Sequence, residues 1–368
     1  MSSQHLQNTP AERPTFSVLI PNFNYARYIG ETIRSVLDQG FDELEIVVAD
    51  NASTDDSVEV VRSFGDPRIH VSVNPCNVGF SANLERVAAL AHGRRMLLLS
   101  SDDRMLPDAL SAYSRLEIAL GDRAERAVWG AGSTTIDGDG KTTGRIATDT
   151  KLWRDAKKDE ALSDAVGYTV LAVPASTILK RCLELLRSPL PFATTCYPKS
   201  LHDEVGGYTG GRVINPDKWF AWKVIGAADV VYLIDHDLFE YRKHDAGQGP
   251  QEARSGALKH LTDEYVATFS LPEHVLKKAG LSREDLARAF IEQDIVLRGL
   301  VSVAAGQRVS ARRALHFGLA AYPNLVRANS KAWALRLLLG LGPLGTPIAR
   351  ALRSRAERAW TERESAAR

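Results

Sequence analysis

The sequence predicts an α/β fold: a mostly parallel sheet flanked by helices, followed by an α-helical C-terminal region. Short apolar runs typical of buried strands alternate with helical segments over the first quarter of the chain. Strands that alternate with helices form parallel sheets with both faces covered. Beyond Pro250 only helical patterns continue, for example "SREDLARAFIEQDIVLRGLVSVAAG". At 368 residues the chain is long enough for a large α/β domain and an appendage.

The first strand and the first helix follow from the pattern of apolar residues. "FSVLIP" (16–21) is a short apolar run closed by a proline, and the next segment carries Ile29, Ile33 and Val36 at helical spacing. Gly40 marks the end of that helix.

The same unit repeats along the next sixty or so residues. "LEIVVAD" (44–50) predicts a buried strand, and "STDDSVEVVRSF" (53–64) predicts a helix with Ser53 or Thr54 as its N-cap. A third strand, a loop, a third helix and a fourth strand follow: "RIHVSV" (68–73), "NPCNVG" (74–79), Phe80–His92 and "MLLLS" (96–100).

The middle of the chain has a more mixed pattern. The sequence predicts a strand, a turn, a helical stretch and a loop-rich segment: "AVWGAG" (127–132), "DGDGK" (137–141), 176–187 and 188–211. A helix over 216–228, with Pro216 at its first position, and a strand at "VVYLI" (230–234) come next.

The composition argues against several classes of protein. With 46 basic and 45 acidic residues the formal charge is +1, which argues against general nucleic-acid binding. Cys76, Cys182 and Cys196 fit neither a disulfide framework nor a thiolate zinc site, so a reducing cytoplasm is the expected location. Residues 1–13 lack the apolar segment of a secretory signal and are expected to be a disordered lead-in. The most apolar stretch, 332–352, is interrupted by arginines and prolines, so we expect no membrane-spanning helix.

Polar residues follow each of the first four predicted strands. They are Asn22 and Asn24, Asp50 and Asn51, Asn77, and Asp102 and Asp103. The carboxyl ends of parallel strands lie at one edge of a sheet, and ligands bind there where the strand order reverses. Asp102 and Asp103 are adjacent carboxylates that repel each other, so we expect a cation or a polar ligand beside them.

These residues lie in ordered blocks that resemble the inverting glycosyltransferases of family 2, which have the glycosyltransferase A fold. The blocks are "SVLIPNFNYARYIGETIRSVLDQ", "EIVVADNASTDDS", "NPCNVGFSANLERV", "LLLSSDDRMLPDAL" and "GGYTGGRVINPDKWFAWKVIGAADVVYLIDHDLFEYRKH". The resemblance implies a catalytic domain at 14–250, with a nucleotide-sugar half at 14–125 and an acceptor half at 126–250. Residues 251–368 are expected to form a separate helical region.

The resemblance assigns the donor nucleotide to the loops at the strand ends. It implies that Asp50 accepts a hydrogen bond from the base, and a carboxylate acceptor suits the imide N–H of uracil or thymine, which favours a UDP or dTDP sugar. The other implied donor-binding residues are Pro21, Asn22, Phe23, Asn24, Asn77, Gly79, Ser101, Asp102, Asp103 and Arg242. Two alternatives stay open: Asp50 could cap a helix beginning near Ser53, and Asn77 could be an ordinary turn residue.

The implied cofactor is a divalent cation, Mn²⁺ or Mg²⁺. The family usually has Asp-x-Asp after the fourth strand, and those oxygens hold a cation on the diphosphate of the donor. Here Ser100 occupies the first position and Asp102 is the aligned ligand, so metal binding is expected to be weaker or to involve more water and phosphate. His244 is a further candidate ligand, and Arg242 is a candidate clamp for the leaving diphosphate. The alternative is that the two aspartates only cap the following helix.

The implied catalytic base is Asp217, in "NPDKWFAW". In this family an acidic residue near the start of the helix takes the proton of the acceptor hydroxyl. Two other interpretations stay open. Asp217 could be a first-turn acid that only stabilises its helix, and the base could be one of the upstream residues His202, Asp203 and Glu204.

Other functions fit the motifs less well. A nucleotide-dependent dehydrogenase would show G-x-G-x-x-G where this chain has "PNFNYARY", and the sequence contains no P-loop motif. A sugar-nucleotide pyrophosphorylase would open with a Gly-rich loop, which "IPNFN" lacks. Because Ser100 replaces an acidic residue, a non-catalytic scaffold with the same fold is the other alternative.

The C-terminal segment 331–368 combines cationic and apolar residues. It has eight basic and three acidic residues and carries Trp333 and Trp360 near its two ends. This composition fits a segment that lies on the anionic inner face of the plasma membrane, which suits a glycan or lipid-linked acceptor. The alternatives are packing on the catalytic domain and formation of a homodimer.

Overall fold

The computed structural model describes residues 13–208, 216–244 and 257–352, so most of the predicted lead-in and the end of the C-terminal segment lie outside the described residues. The chain divides into two compact units, each built from more than one segment. The first comprises 1–175, 190–210 and 227–243, and the second comprises 176–189, 211–226 and 244–368. The sequence predicted one boundary near residue 250, and that boundary stays a prediction.

The described part of the first unit contains one mixed sheet of eleven strands. The strands are β1 (Phe16–Asn22), β2 (Leu44–Asp50), β3 (Ile69–Val73), β4 (Arg95–Leu98), β5 (Arg104–Met105), β6 (Ala127–Ile136), β7 (Thr142–Ile146), β8 (Lys157–Lys158), β9 (Val170–Pro174), β10 (Cys196–Pro198) and β11 (Val230–Arg242). Their order is β3-β2-β1-β4-β10-β6-β11-β9-β8, with β5 paired to β11 and β7 paired to β6.

The first four strands form a parallel block. β2 and β4 flank β1, and β3 continues the sheet beside β2. The chain adds β2 and β3 on one side of β1 and β4 on the other, so the strand order reverses between β1 and β4. β6 and β11 are a second parallel pair, whereas β10 pairs antiparallel with both β4 and β6. The predicted α/β class is confirmed, with β10 as an insertion that the sequence did not predict.

Helices flank this sheet because their apolar faces must be buried. In the first unit they are α1 (Ala26–Leu37), α2 (Ser57–Arg62), α3 (Phe80–Ala89), α4 (Ala109–Leu120), α5 (Thr150–Trp153), α6 (Glu160–Val166) and α8 (Lys199–Glu204), with 3-10 turns at Gly121–Arg126 and Phe192–Thr194. Helix α7 (Ala175–Leu185) belongs to the second unit from its second residue onwards. As the spacing predicted, α1 buries Ile29, Ile33 and Val36 in a core shared with α4 and the inward face of the strands.

The second helix begins four residues later than predicted. Ser53 is not its N-cap, because the Ser53 backbone N–H and hydroxyl both donate to the Asp50 carboxylate, at 2.8 and 2.6 Å. The helix starts at Ser57 instead, and Thr54 is not its cap either. The loop between β2 and α2 is therefore held by the strand end rather than by the helix.

The two long strands of the sheet exceed their predicted lengths. β6 continues past "AVWGAG" to Ile136 and returns as β7 after the predicted turn at 137–141. β11 runs from Val230 to Arg242, with register shifts around Asp237. Gly132 lies beside this irregularity, where a Cβ would be 2.4 Å from Asp237 Oδ1. Because the register shifts interrupt the alternation of buried and exposed residues, the full length of β11 could not be predicted from the sequence pattern.

The second unit is helical throughout its described residues from 257 onwards, which confirms the predicted C-terminal helical region. Its helices are α9 (Pro216–Ala227), α10 (Ala257–Ser270), α11 (Glu273–Ala279), α12 (Arg283–Phe290), α13 (Arg298–Ala304), α14 (Arg308–Ala321), α15 (Pro323–Ala328) and α16 (Ser330–Gly340), with a π-helical stretch at Ile291–Leu297 and a 3-10 turn at Gly342–Leu344. The rings of Tyr265, Phe290 and Phe317 pack at its centre, with centroids 5.7–6.2 Å apart. Within the described ranges no helix is both long enough and apolar enough to cross a bilayer.

Candidate active site

The polar residues predicted at the four strand ends lie along one edge of the sheet. Asn22 ends β1 and is paired in register with Asp50, which ends β2. Loop 74–79 follows β3 on the far side of β2, and residues 100–103 follow β4 on the other side of β1. The edge includes the point where the strand order reverses, which is where ligands bind in sheets of this kind.

Asp50 is almost completely buried and makes three hydrogen bonds. Its Oδ2 accepts from Asn22 Nδ2 at 2.8 Å and from the Ser53 hydroxyl at 2.6 Å, while its Oδ1 accepts from the Ser53 amide at 2.8 Å. A carboxylate has about four acceptor positions, so one is left on Oδ1. The Oδ1 atom of Asn22 is also buried and has no hydrogen-bond partner in the described part of the chain.

Four asparagines hold the loop that follows β3. Asn51 Nδ2 donates to Asn77 Oδ1 at 2.9 Å, and Asn74 Nδ2 donates to the side-chain oxygens of Asn51 and Asn83 at 3.0 and 2.9 Å. Asn83 Nδ2 in turn donates to the Ala49 carbonyl at 2.8 Å. Asn77 was predicted from the sequence, whereas Asn74 and Asn83 were not. These asparagines lie in different elements, the loop after β3 and α3, and only the fold brings them together with Asn51.

Two further nucleotide-side positions have unusual backbone conformations. Asn24 has φ of 59°, and its side chain accepts from the Thr54 amide at 2.7 Å. Gly79 has φ of 86°, a region that L side chains rarely adopt, so glycine is required there. Phe23 lies between β1 and α1 with its side chain partly exposed, and Pro21 accepts a hydrogen bond from the Ser101 hydroxyl at 3.3 Å.

The acidic pair occupies two different environments. Asp103 is only 1% exposed; its Oδ1 accepts from the Arg242 amide at 2.9 Å, and its Oδ2 has no hydrogen-bond partner among the residues that the structure describes. Burial, and then the charge of Asp102, raise the pKa of Asp103 well above its ordinary value, although the Arg242 amide and the Ser100 hydroxyl oppose the increase. Asp102 is partly exposed beside it.

This donor set fits a hard divalent cation that is shared with a ligand. A buried carboxylate oxygen without a partner, next to a second carboxylate, offers the oxygen ligands that Mg²⁺ and Mn²⁺ prefer. The described ranges contain no group of three or more His, Cys, Asp or Glu side chains that could hold a metal alone. Water and phosphate oxygens would therefore have to complete the coordination, as the sequence analysis expected from Ser100.

Arg242 is turned towards the protein interior, with its side chain fully buried. Its Nε donates to the Asp102 carbonyl at 2.8 Å, one terminal nitrogen donates to the carbonyls of Asp137 and Gly138 at 3.3 Å, and the other pairs with Glu31 at 2.7 Å. These contacts tie the loop of the acidic pair to the β6–β7 turn and to α1. A direct contact of Arg242 with the diphosphate stays a prediction.

Polar residues of α1, together with Gln39 just beyond its end, also support the loop of the acidic pair. The Thr32 hydroxyl donates to the Asp103 carbonyl at 2.8 Å, the Ser35 hydroxyl accepts from the Met105 amide at 3.0 Å, and Gln39 Nε2 donates to the Leu106 carbonyl at 2.9 Å. The sequence analysis used only the apolar face of this helix. The spacing of these three residues by three and four positions was the signal that could have identified them.

Tyr25 is another residue near the acidic pair that the sequence analysis missed. Burial raises the pKa of Tyr25, and the nearby charges of Asp102 and Asp103 raise it further, so its phenol stays protonated at neutral pH and can donate a hydrogen bond. In the sequence, the only signal for Tyr25 was that it is an aromatic residue.

The predicted base and the second candidate metal ligand belong to the second unit. Asp217 lies in the first turn of α9 and is partly exposed; burial raises its pKa, the charge of Lys218 opposes this and that of Asp263 adds to it. Lys218 forms an ion pair with Glu264 and donates to the Leu186 carbonyl at 3.1 Å, which fixes the start of the helix. His244, also in this unit, is partly buried.

The alternative bases lie on α8 in the first unit. His202 is buried beside Tyr197 and Tyr208, with ring centroids 6.3 and 5.2 Å away, and burial lowers its pKa. Asp203 is bonded to Lys199 at 3.2 Å. The packing of His202 is that of a core residue, whereas Asp203 and Glu204 are exposed.

The family match covers the strands and loops that form this edge of the sheet. Residues 17–114, which include β1 to β4 and the acidic pair, match the model of glycosyl transferase family 2. A protein of Bacillus subtilis named as a teichuronic acid biosynthesis glycosyltransferase, TuaG, is 34% identical over 100 residues, 27% of this chain and 40% of its own length. The GalNAc(5)-diNAcBac-PP-undecaprenol beta-1,3-glucosyltransferase of Campylobacter jejuni is 35% identical over 101 residues, 27% of this chain and 33% of its own length. The chain thus spans less than half of the length of these relatives.

The fold extends further than the sequence similarity. The crystal structure of S. aureus TarS 1-349 in complex with UDP-GlcNAc matches with a TM-score of 0.61 and 18% identity, over 94% of this chain and 92% of that one. The similarity confirms the glycosyltransferase A fold with its C-terminal helical region. The resemblance stated from the motifs is confirmed for the segment that carries β1 to β4.

Proposed function

We propose that this chain, whose residues 17–114 match glycosyl transferase family 2, is a glycosyltransferase that moves a sugar from a nucleoside diphosphate sugar to a hydroxyl group of a glycan or lipid-linked acceptor. The observation that carries the proposal is the buried Oδ2 of Asp103, which has no hydrogen-bond partner within 13–208, 216–244 and 257–352 and lies beside Asp102 at the carboxyl edge where the strand order reverses. A structural aspartate in this position would have its acceptor positions filled by the protein. An aspartate with an unfilled acceptor position is suited to a cation and the diphosphate of a donor.

We assign the nucleotide to the loops after β1, β2 and β3. Asp50 Oδ1 keeps one acceptor position, which suits the imide N–H of uracil or thymine, and the asparagine relay fixes loop 74–79 beside it. The TarS structure named above contains UDP-GlcNAc, in line with a uridine donor. Calorimetric titration with UDP, dTDP, GDP and CDP tests the assignment: UDP or dTDP should bind tightest, and tightest binding of GDP or CDP would contradict it.

The proposed reaction is a single displacement with inversion. The acceptor oxygen forms a bond to the anomeric carbon while the bond from that carbon to the β-phosphate oxygen breaks, and the nucleoside diphosphate leaves with the electron pair. The hydroxyl proton passes to the carboxylate of Asp217. The chemistry supplied by a bound Mn²⁺ or Mg²⁺ is neutralisation of the leaving diphosphate, and Asp102 and Asp103 are the residues proposed to hold the ion, with His244 as a further candidate.

We propose the acceptor class from the names of the relatives. One relative is named for teichuronic acid biosynthesis and another for a glucosyltransferase of an undecaprenol-linked saccharide, so we propose a role in the assembly of a bacterial surface polysaccharide. The named activities belong to those proteins. For this chain they define the acceptors to try first: polyprenyl-linked and soluble oligosaccharides.

A transfer assay with the full chain and a panel of labelled donors tests the function. Asp217→Asn should keep nucleotide binding and lower the turnover number about 10²- to 10⁴-fold, the usual scale for general-base catalysis. Asp203→Asn is the matched control and should retain turnover. Full activity in Asp217→Asn, together with loss of activity in Asp203→Asn, would assign the catalytic base to Asp203 on α8.

The same assay separates the alternative functions. A sugar-nucleotide pyrophosphorylase would release the sugar 1-phosphate from the donor when pyrophosphate is added, whereas a glycosyltransferase would not. Nucleotide binding without transfer to any acceptor, and without release of sugar 1-phosphate, would favour the scaffold. Loss of nucleotide binding as well would remove the proposal altogether.

A further inference from the structure

The last described helices carry large apolar side chains on their exposed side. We call this set the apolar ridge: Trp333, Leu337, Leu341, Leu344, Ile348 and Leu352. Each is 44–70% exposed. Trp333 and Leu337 lie four positions apart on α16, and Leu344, Ile348 and Leu352 are spaced by four from the end of the 3-10 turn through the helical residues 345–352. Each group follows the spacing of one helix face, and Gly342, with φ of 62°, separates the two segments.

The apolar ridge is not the face that α16 uses to pack on its neighbours. Ala332, Leu335, Leu338 and Leu339 are buried on the other side of the helix. Leu335 is in contact with Gly299 of α13, where its Cδ2 lies 2.6 Å from the position that a Cβ would take. A surface helix normally needs one apolar stripe, and this helix has a second one that faces outward.

The charged residues within the segment that carries the ridge are all basic. Residues 331–352 contain Lys331, Arg336 and Arg350 and no aspartate or glutamate. The Arg336 guanidinium lies 4.8 Å from the centroid of the Trp333 ring, and Lys331 is 3.2 Å from Glu292 on the preceding π-helical stretch. An aromatic side chain with cations beside it is typical of segments that lie at a membrane interface.

We propose that the apolar ridge is a docking surface for an anionic lipid bilayer, on which these helices lie in the plane of the interface. The apolar side chains would enter the region between headgroups and acyl chains, and Arg336 and Lys331 would remain at the level of the lipid phosphates. A second copy of the chain is a less suitable occupant. In a twofold symmetric dimer the same patch meets itself, so the cations beside the ridge would approach their own copies.

This proposal is independent of the donor chemistry, because vesicle binding is measured without substrate. The full chain is mixed with vesicles of phosphatidylcholine alone or with about a third of phosphatidylglycerol, and the bound fraction is measured by flotation. The test variant is the double substitution Leu337→Glu and Leu344→Glu, since both positions are exposed and the fold should tolerate them. The control is Ile118→Glu, a residue that is 77% exposed in the first unit.

The expected result is binding to the anionic vesicles that falls at least about tenfold in the double variant, stays unchanged in Ile118→Glu, and weakens as salt is raised. Circular dichroism and a thermal melt confirm that each variant is folded. Equal binding of the double variant and the parent would overturn the proposal, as would binding that ignores the anionic lipid. Light scattering provides the remaining outcome: a parent dimer that the double variant dissociates, without vesicle binding by the parent, would assign the ridge to a second copy.

Discussion

Two buried carboxylates lie at opposite ends of the same parallel strands, and they differ in how their oxygens are used. Glu45, near the start of β2, is 5% exposed, and its Oε1 accepts from the Ser17 hydroxyl at 2.6 Å and from the amides of His92 and Gly93 at 2.5 and 3.0 Å. Asp103, just after β4, is 1% exposed, accepts from the Arg242 amide through Oδ1 at 2.9 Å, and leaves Oδ2 without a partner in the described chain.

The difference distinguishes a carboxylate whose hydrogen bonds come from the protein from one that we propose to bind a ligand. Burial alone would raise the pKa of Glu45, but the hydrogen bonds from Ser17, His92 and Gly93 lower it below its ordinary value. At Asp103 burial prevails and the pKa is raised. Gly93 shows how closely the Glu45 end is built, because a Cβ there would lie 2.6 Å from Ser17 Oγ and 2.7 Å from its amide nitrogen. At the amino edge the protein supplies the hydrogen bonds of the carboxylate, whereas at the carboxyl edge we propose that a ligand does so.

Removing the carboxylate at each edge of the sheet should have opposite effects on activity and stability. The loss of activity at Asp103 is the largest effect that we expect. Asp103→Asn should lower transfer activity about 10²- to 10³-fold, because it removes a proposed cation ligand. Its thermal stability should be unchanged or higher, because burial and the charge of Asp102 disfavour the charged form of Asp103, and a neutral amide avoids both costs. Initial rates at saturating Mn²⁺, together with a thermal melt, measure both quantities. An Asp103→Asn protein with normal activity and a lower melting temperature would make Asp103 structural like Glu45.

Glu45→Ala is the reciprocal change at the amino edge. It leaves the Ser17 hydroxyl and two backbone amides without their acceptor, so the free energy of unfolding should fall by about 3 kcal/mol. Where the variant is still folded, its transfer rate should stay within about twofold of the parent, because the residue lies at the edge opposite to the proposed site. Urea denaturation and the rate assay check the two halves of the prediction.

Arg242 tests whether the carboxyl edge depends on the protein groups that orient it. Arg242→Met removes the bonds to the Asp102 carbonyl, the β6–β7 turn and Glu31, and should raise the Mn²⁺ concentration for half-maximal nucleotide binding about 10- to 100-fold. Arg104→Met is the control, because Arg104 also bonds Gly140 and Glu31 in the same region, whereas the bond to the Asp102 carbonyl comes from Arg242. An equal increase of this Mn²⁺ concentration in both variants would mean that Arg242 only supports the β6–β7 turn and does not orient the acidic pair.

The pH dependence of stability gives the smallest expected effect. Because the pKa of Glu45 is lowered on folding, its contribution is complete above the pKa of an unfolded glutamate, roughly 4.3. It is lost as the pH falls through the folded-state value. The stability difference between the parent and Glu45→Gln should therefore be largest above about pH 5 and shrink below about pH 4, as measured by urea midpoints. A difference that is constant with pH would mean that Glu45 is not held as an anion.

The sequence was sufficient for the parts that depend on local pattern. β1 to β4, the helices between them and the strand-end position of Asp102 and Asp103 follow from apolar periods and stop residues. β10 could not be predicted in the same way, because three residues of a loop-rich stretch become a strand only between β4 and β6. The start of α2 was predicted too early, because Asp50 competes for Ser53.

The arrangement of the candidate site was only partly predictable. The inward direction of Arg242 is determined by Glu31, Asp102 and the turn at 137–138, which lie more than a hundred positions away in the sequence. The open oxygen of Asp103 likewise depends on how the loop is held by α1. Residue type and order could name the acidic pair, and only the packing shows which of its oxygens is left without a partner.

The most direct test of the account is a calorimetric titration of UDP or dTDP, whichever binds tighter, with and without Mn²⁺. We predict that Mn²⁺ tightens nucleotide binding by the parent at least about tenfold, that Asp102→Asn abolishes this gain, and that Glu45→Gln keeps it. A nucleotide affinity that is the same with and without Mn²⁺, or a gain that survives in Asp102→Asn, would contradict the claim that the carboxyl edge of the sheet is a cation-assisted nucleotide-sugar site.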